Sequence, residues 1–312
     1  MENNYSAPLL QVEDLSVSFK MYDGALEQRN LQVISSLSLT VDPGEILAIA
    51  GSSGSGKSLL ASAILGILPN NAAVRGTMRY LGRDMTPDVQ AELRGREIAL
   101  VPQSVAYLDP LMKVGAQADG HKKPRPTEKR RGIFRRFGLA DNTENLYPFQ
   151  LSGGMARRVL VSTALIADAR LVIADEPTPG MGLNQAMEAL KMFRRMADEG
   201  RAVVLITHDI DLAFEFADRV AVFYAGTTVE TAPSADFKAG PDALRHPYSK
   251  ALWRALPQNG FAPIDGFQPY AGNLPKGCLF APRCPYRTAQ CEATIPPMRT
   301  LRGGEVRCHH AT

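Results

Sequence analysis

The chain has 312 residues, room for about two domains, and 45% of them are hydrophobic, ample for a packed core. Its 35 basic and 32 acidic residues leave a net charge of +3, too even a balance for a protein held to nucleic acid by bulk charge. No apolar run of about 18 residues occurs, and Met1–Gln11 carries Glu2 without an apolar core after a basic start, so neither a membrane span nor a secretory signal is expected and the chain reads as cytoplasmic.

Residues 9–19 partly alternate apolar and polar side chains, the pattern of a half-exposed strand. Asp23-Gly24 signals a turn, residues 31–41 alternate again, and Asp42-Pro43-Gly44 turns the chain into the apolar run Ile46–Ala50. A small antiparallel sheet beside a nucleotide-binding core is predicted. Phe19 and Tyr22 stand near the first turn, where either could stack on an adenine ring or pack within the sheet. Next comes Gly51-Ser52-Ser53-Gly54-Ser55-Gly56-Lys57-Ser58, which fits G-x-x-x-x-G-K-[ST]. It lies between the apolar run and the apolar-rich stretch 59–68, so it reads as strand, tight loop and helix. Glycines let successive N–H groups curl around a phosphate, and the helix start adds its positive dipole end. Lys57 is expected to reach the β- and γ-phosphates, and Ser58 to offer its hydroxyl to Mg²⁺.

Residues 76–84 read as an edge hairpin, and Ile98–Val101 as a short buried strand ending at Pro102-Gln103. Gln103 could ligate Mg²⁺ or sense a γ-phosphate there. The stretch 121–136 carries Lys122, Lys123, Arg125, Lys129, Arg130, Arg131, Arg135 and Arg136 against Glu128 alone. A solvated helix face is favoured over attraction to anionic lipid headgroups. Gly138 and the polar residues 141–144 close this stretch. Leu151-Ser152-Gly153-Gly154-Met155 then precedes a helix over 156–167, a second, weaker anion-binding device. Leu171–Ala174 is an apolar strand ending in the adjacent carboxylates Asp175 and Glu176, which strand alternation would point in opposite directions. One suits Mg²⁺ and the other an attacking water, as phosphoryl transfer to water requires. Residues 184–197 are amphipathic, 202–207 form a strand ending at His208, and 220–224 with 227–231 form a hairpin through Gly226. Strands alternating with helices, reactive groups at strand C-termini, predict an α/β fold.

In this order the motifs resemble the ATP-binding subunit of an ABC transporter. The resemblance implies a P-loop NTPase with a RecA-like core, an antiparallel β subdomain and a helical subdomain over about 104–154. Residues 1–235 would be the nucleotide-binding domain and 236–312 a small cysteine-containing extension. Gly51–Ser58 matches the Walker A motif, Gln103 the Q-loop and Leu151-Ser152-Gly153-Gly154 the signature that acts on a partner's ATP. Asp175 matches Walker B, Glu176 the catalytic glutamate and His208 the switch histidine, while Phe19 sits at the adenine-stacking position. Ser58, Gln103 and Asp175 are the implied Mg²⁺ residues. Met155 replaces the signature's usual Gln, as is common in the peptide and nickel branch. Gly182 stands where the family has an Asp that couples two ATP sites, and the 104–150 segment is shorter than the branch leads one to expect.

The tail narrows the branch. Arg245-His246-Pro247-Tyr248 and Gly277-Cys278-Leu279-Phe280-Ala281-Pro282-Arg283-Cys284 are similar to oligopeptide, dipeptide and nickel importers. Cys278, Cys284, Cys291 and Cys308 are the only cysteines, and their spacing lacks the paired C-x2-C of zinc sites. Relatives that carry a [4Fe–4S] cluster here favour that reading over zinc or reduced structural thiols. The implied function is ATP hydrolysis that energises import of peptides or nickel-type chelates. Its implied partners are two membrane-spanning permease subunits, a second ATP-binding subunit (a paralogue, or a second copy) and, indirectly, an extracytoplasmic solute-binding protein. That places the chain at the cytoplasmic face of the membrane, without nucleic acid. The alternatives are a soluble ATPase acting on nucleic acid or ribosomes and a non-hydrolysing regulatory subunit.

Overall fold

The computed structural model describes residues 7–23, 27–120 and 123–312. Gly24 of the expected turn, residues 1–6 and Lys122 of the basic run lie outside them. Strand β1 (Leu10–Asp23) pairs antiparallel with β2 (Glu27–Val41). Strand β3 (Ile46–Gly51) is wholly buried and leads through residues 52–56 into α1 (Lys57–Leu65). The expected edge hairpin is β4 (Ala72–Tyr80) with β5 (Arg83–Asp84), followed by α2 (Pro87–Leu93) and β6 (Ile98–Val101). Three helices form the next layer: α3 (Val114–Asp119), α4 (Thr127–Arg136) and α5 (Gly153–Ile166). The chain then alternates β7 (Leu171–Asp175), α6 (Leu183–Asp198), β8 (Ala202–Ile206), α7 (Ile210–Phe216) and β9 (Arg219–Tyr224). It closes with β10 (Thr227–Pro233), α8 (Ser234–Ala239), α9 (Pro247–Arg254), α10 (Ala289–Ala293), β11 (Arg299–Leu301) and β12 (Gly304–Val306).

Two sheets result. One is four-stranded, in the order β2-β1-β4-β5; the other is eight-stranded, in the order β11-β12-β10-β9-β3-β8-β7-β6. From β9 to β6 the strands are parallel, and the uniform apolarity of β3, β7 and β8 follows from burial on both faces. Alternate residues of β3 serve different cores. Ile46, Ala48 and Ala50 join Leu160 of α5 and Phe193 of α6, whereas Leu47 and Ile49 join Leu60 and Ile64 of α1 and the β1–β2 sheet. Each large apolar side chain among them contributes about 1.5–3 kcal/mol by leaving water.

Helix α5 begins at Gly153, earlier than residue 156, because Ser152 caps it by accepting the Met155 N–H at 3.3 Å. The basic stretch is a solvated face at Lys123, Arg125, Lys129, Arg131, Arg135 and Arg136, but not at Arg130. That guanidinium is 6% exposed and pairs with Asp119 at the end of α3 and with Glu144, the latter at 2.7 Å. Glu144 also takes Arg131 at 2.8 Å, and the two arginines hold its carboxyl well below the usual range, at about 2. A charge cluster therefore ties α3 to α4 where sequence reading gave only a surface.

The cysteine-containing stretch is fastened to the larger sheet. β12 pairs with β10, and the fully buried Glu230 of β10 accepts the Arg245 and His246 N–H groups, both at 2.8 Å. Strands from both sides of residue 235 thus share one sheet.

Candidate active site

Parallel pairing sets the site. Ile49 of β3 lies opposite Ile206 of β8, which lies opposite Asp175 of β7, and Ala174 lies opposite Val101 of β6. The residues just beyond this row are Gly51, His208, Glu176 and Gln103, so motifs far apart in sequence meet at one sheet edge. Gly56 caps α1 with φ +97°, a left-handed turn that suits glycine and aims the free N–H groups of the helix start into the loop. Gly226 matters for space. Its N–H donates to the Ser55 carbonyl at 3.1 Å, and a Cβ there would stand 2.1 Å from the Val33 carbonyl oxygen.

Lys57 is 6% exposed and folds back to donate to the carbonyls of Gly51 at 2.9 Å and Ser52 at 3.0 Å. Burial pushes its ammonium below the usual range, against the pull of the Glu176 and Asp175 carboxylates. Asp175 is also buried; burial raises its pKa, and a hydrogen bond from Ser58 opposes the rise. Its Oδ1 has no partner among the described residues. An orphaned buried carboxylate oxygen beside the Ser58 hydroxyl suits a hard divalent cation, so these residues fit Mg²⁺.

The pleat of a strand does not orient both acids. β7 stops at Asp175, and Glu176 takes φ +46°, an uncommon conformation for a residue with a side chain. Its carboxylate accepts the Gln103 amide at 3.0 Å and faces His208 Nδ1 at 3.2 Å. A carboxylate so oriented can take a proton from a water placed between it and a phosphate.

Arg157 was missed in sequence. It is 3% exposed and donates to Pro102 and Gln103 carbonyls, both at 2.7 Å, and to the Pro177 carbonyl at 3.2 Å. One guanidinium of α5 thereby fixes the ends of β6 and β7. The signal was a cation set in line with the buried Leu160, Val161 and Ala164 of the same helix.

Not every expected residue joins the cluster. Ser152 and Gly153 are exposed at the start of α5 and share no hydrogen bond with the Gly51–Ser58 loop among the described residues. Phe19 is half-buried on β1, packed against the core that α1 and β2 share, and Tyr22 is 72% exposed. Gly182 caps α6 without a side-chain bond, where an Asp would supply one. Ser53 and Gly54 form the exposed tip of the loop.

Cys278, Cys284, Cys291 and Cys308 are free and line one small enclosed cavity with His309 and His310. Burial raises the Cys278 thiol to about 11 and raises Cys284 and Cys308 as well. The residue types fit a thiolate-held cluster. As placed, however, no three His, Cys, Asp or Glu among the described residues close on a metal ion.

The ABC transporter family profile matches residues 34–179, and the profile of the oligopeptide/dipeptide transporter C-terminal region matches residues 229–291. The chain is 34% identical to the dipeptide transport ATP-binding protein DppD of Escherichia coli over 97% of its own length and 96% of that protein's. The chain belongs to the ABC transporter family. Among ABC relatives, the oligopeptide transport ATP-binding protein OppD of Haemophilus influenzae is 32% identical, with 96% of both chains covered. The fold agrees with an ABC cassette solved as a dimer in a post-hydrolysis state with ADP and Pi, at TM-score 0.63, 23% identity and coverage of 72% of this chain and 98% of that one. The P-loop α/β architecture of the family is therefore the architecture of this chain. No helix among the described residues is long and apolar enough to cross a membrane.

Proposed function

We propose that the chain hydrolyses ATP to power import of dipeptides or oligopeptides through a membrane transporter. The observation that carries this is Glu176, held between Gln103 and His208 beside the lysine and acid of one phosphate site. In this reading residues 1–235 form the nucleotide-binding domain and 236–312 its extension. Gly51–Ser58 holds the phosphates, Lys57 leaves its two carbonyls to meet the β- and γ-phosphates, and Phe19 flanks the adenine. Ser58, Asp175 and Gln103 hold Mg²⁺, which when bound neutralises phosphate charge. Glu176 orients and deprotonates water, His208 holds the γ-phosphate, and Arg157 keeps Gln103 and Glu176 in register. An intact Glu176 and His208 disfavour a non-hydrolysing role.

Leu151-Ser152-Gly153-Gly154 serves the ATP of a second ATP-binding subunit, a paralogue or another copy; the exposure of Ser152 and Gly153 supports this. With a paralogue as the second subunit, Gly182 in place of the Asp would make the two ATP sites unequal. Two membrane subunits dock near Gln103, where Tyr107 is 65% and Leu111 86% exposed, an apolar surface suited to burial. That docking puts the chain peripherally at the cytoplasmic face, with a solute-binding protein acting from the other side. The names of the relatives support peptides over nickel chelates as cargo. Convergence of the four cysteines on one cavity supports a [4Fe–4S] cluster in the extension. Uptake of a labelled dipeptide into sealed vesicles carrying the assembled transporter tests the reading: it should require ATP and stop without this chain. Equal uptake without the chain would refute it.

A further inference from the structure

The cysteine-containing extension touches the phosphate loop. Ser52 Oγ donates to Gln268 Oε1 at 2.7 Å, across 216 residues of sequence. Tyr248 of α9 ties the same extension to β9 of the larger sheet. Tyr248 is 4% exposed, and its ring packs 4.5 Å from Tyr224 and 5.5 Å from Phe280, so it is a fixed point. The segment bearing Gln268 is anchored a second time, where the Arg29 guanidinium of β2 donates to the Gly272 carbonyl. Ser52 is therefore gripped on its side chain by the extension, while its carbonyl holds the Lys57 ammonium.

These two grips have different fates. A lysine that serves phosphates must release the Ser52 carbonyl when nucleotide arrives. The contact from Gln268 needs no such exchange, because it approaches Ser52 through its hydroxyl. It keeps the loop curved once Lys57 has left. We propose that Gln268 is a positioning residue for ATP: through Ser52 it holds the phosphate loop in its accepting shape and makes the extension part of the nucleotide site. Gln268 touches no reacting atom. A loop already ordered loses less freedom on binding, so the contact acts on ATP affinity rather than on the chemical step. The proposal rests on Gly51–Ser58 being the ATP loop.

The test is the ATP dissociation constant of the full-length chain, measured by equilibrium dialysis for Gln268→Ala, Ser52→Ala and the double variant. Each single change should weaken ATP about fivefold, the worth of one net hydrogen bond, and the double should be no weaker than either single. Turnover at saturating ATP in the assembled transporter should stay within about twofold for Gln268→Ala. Gln268→Asn, which shortens the reach without emptying the position, should match Gln268→Ala. Unchanged affinity in Gln268→Ala, effects that multiply in the double variant, or lost turnover at unchanged affinity would each overturn the proposal. Lys57→Ala separates the two readings. If it binds ATP normally, the loop is not the ATP site; if it loses ATP while Gln268→Ala does not, only the role of Gln268 fails.

Discussion

Glu176→Gln is expected to bind ATP as tightly as the unaltered chain and to turn it over about 10²–10⁴ times more slowly, the usual contribution of a positioned general base. The amide is nearly isosteric, so the contacts to Gln103 and His208, at 3.0 and 3.2 Å, keep their reach. What disappears is the ability to take a proton from water. Binding survives because Glu176 spends its hydrogen bonds on Gln103 and His208 rather than on the loop, and because a neutral side chain repels the γ-phosphate less than a carboxylate does. Phosphate release and equilibrium ATP binding, measured on the same preparation, separate the two effects. Turnover within about twofold of the unaltered chain would remove Glu176 from the chemistry.

Arg157→Met should cost about 3 kcal/mol of stability and at least about tenfold in turnover. Methionine approximates the stem but donates nothing. The carbonyls of Pro102, Gln103 and Pro177 would then be left without the donor that Arg157 gives each of them. Buried carbonyls without partners destabilise, and the strand end that carries Gln103 would loosen. Arg157→Lys keeps a charge but cannot fork to several carbonyls, so it should fall between the two. Chemical denaturation and ATPase assays on the three proteins check this. An unchanged midpoint with unchanged turnover would mean that the carbonyls find other donors.

The contrast between these two residues shows what a sequence carries. Glu176 was legible because its chemistry is local: an apolar strand ends, and acids follow. The same holds for the loop at Lys57 and for the strands on which both stand, since buried parallel strands are apolar along their whole length. Arg157 was not legible, because its partners lie 20 and 54–55 residues away and meet it only after β6, β7 and α5 pack. Arg130 failed for a related reason. Its charge run resembles any solvated helix until α3 and Glu144 fold against it. The strand alternation expected for Asp175 and Glu176 does not apply, because β7 ends at Asp175 and Glu176 adopts a left-handed conformation. The tail strands Arg299–Leu301 and Gly304–Val306 are three residues each, too short to show alternation, yet they complete the large sheet.

A crystal structure of the Glu176→Gln chain with Mg·ATP tests the central claim most directly. Lys57 should have left the Gly51 and Ser52 carbonyls for the β- and γ-phosphate oxygens, with Mg²⁺ bound beside Ser58 and Asp175 and the substituted amide at position 176 facing the γ-phosphate. Nucleotide bound elsewhere, or Lys57 still on its two carbonyls with the phosphates out of reach, would contradict it.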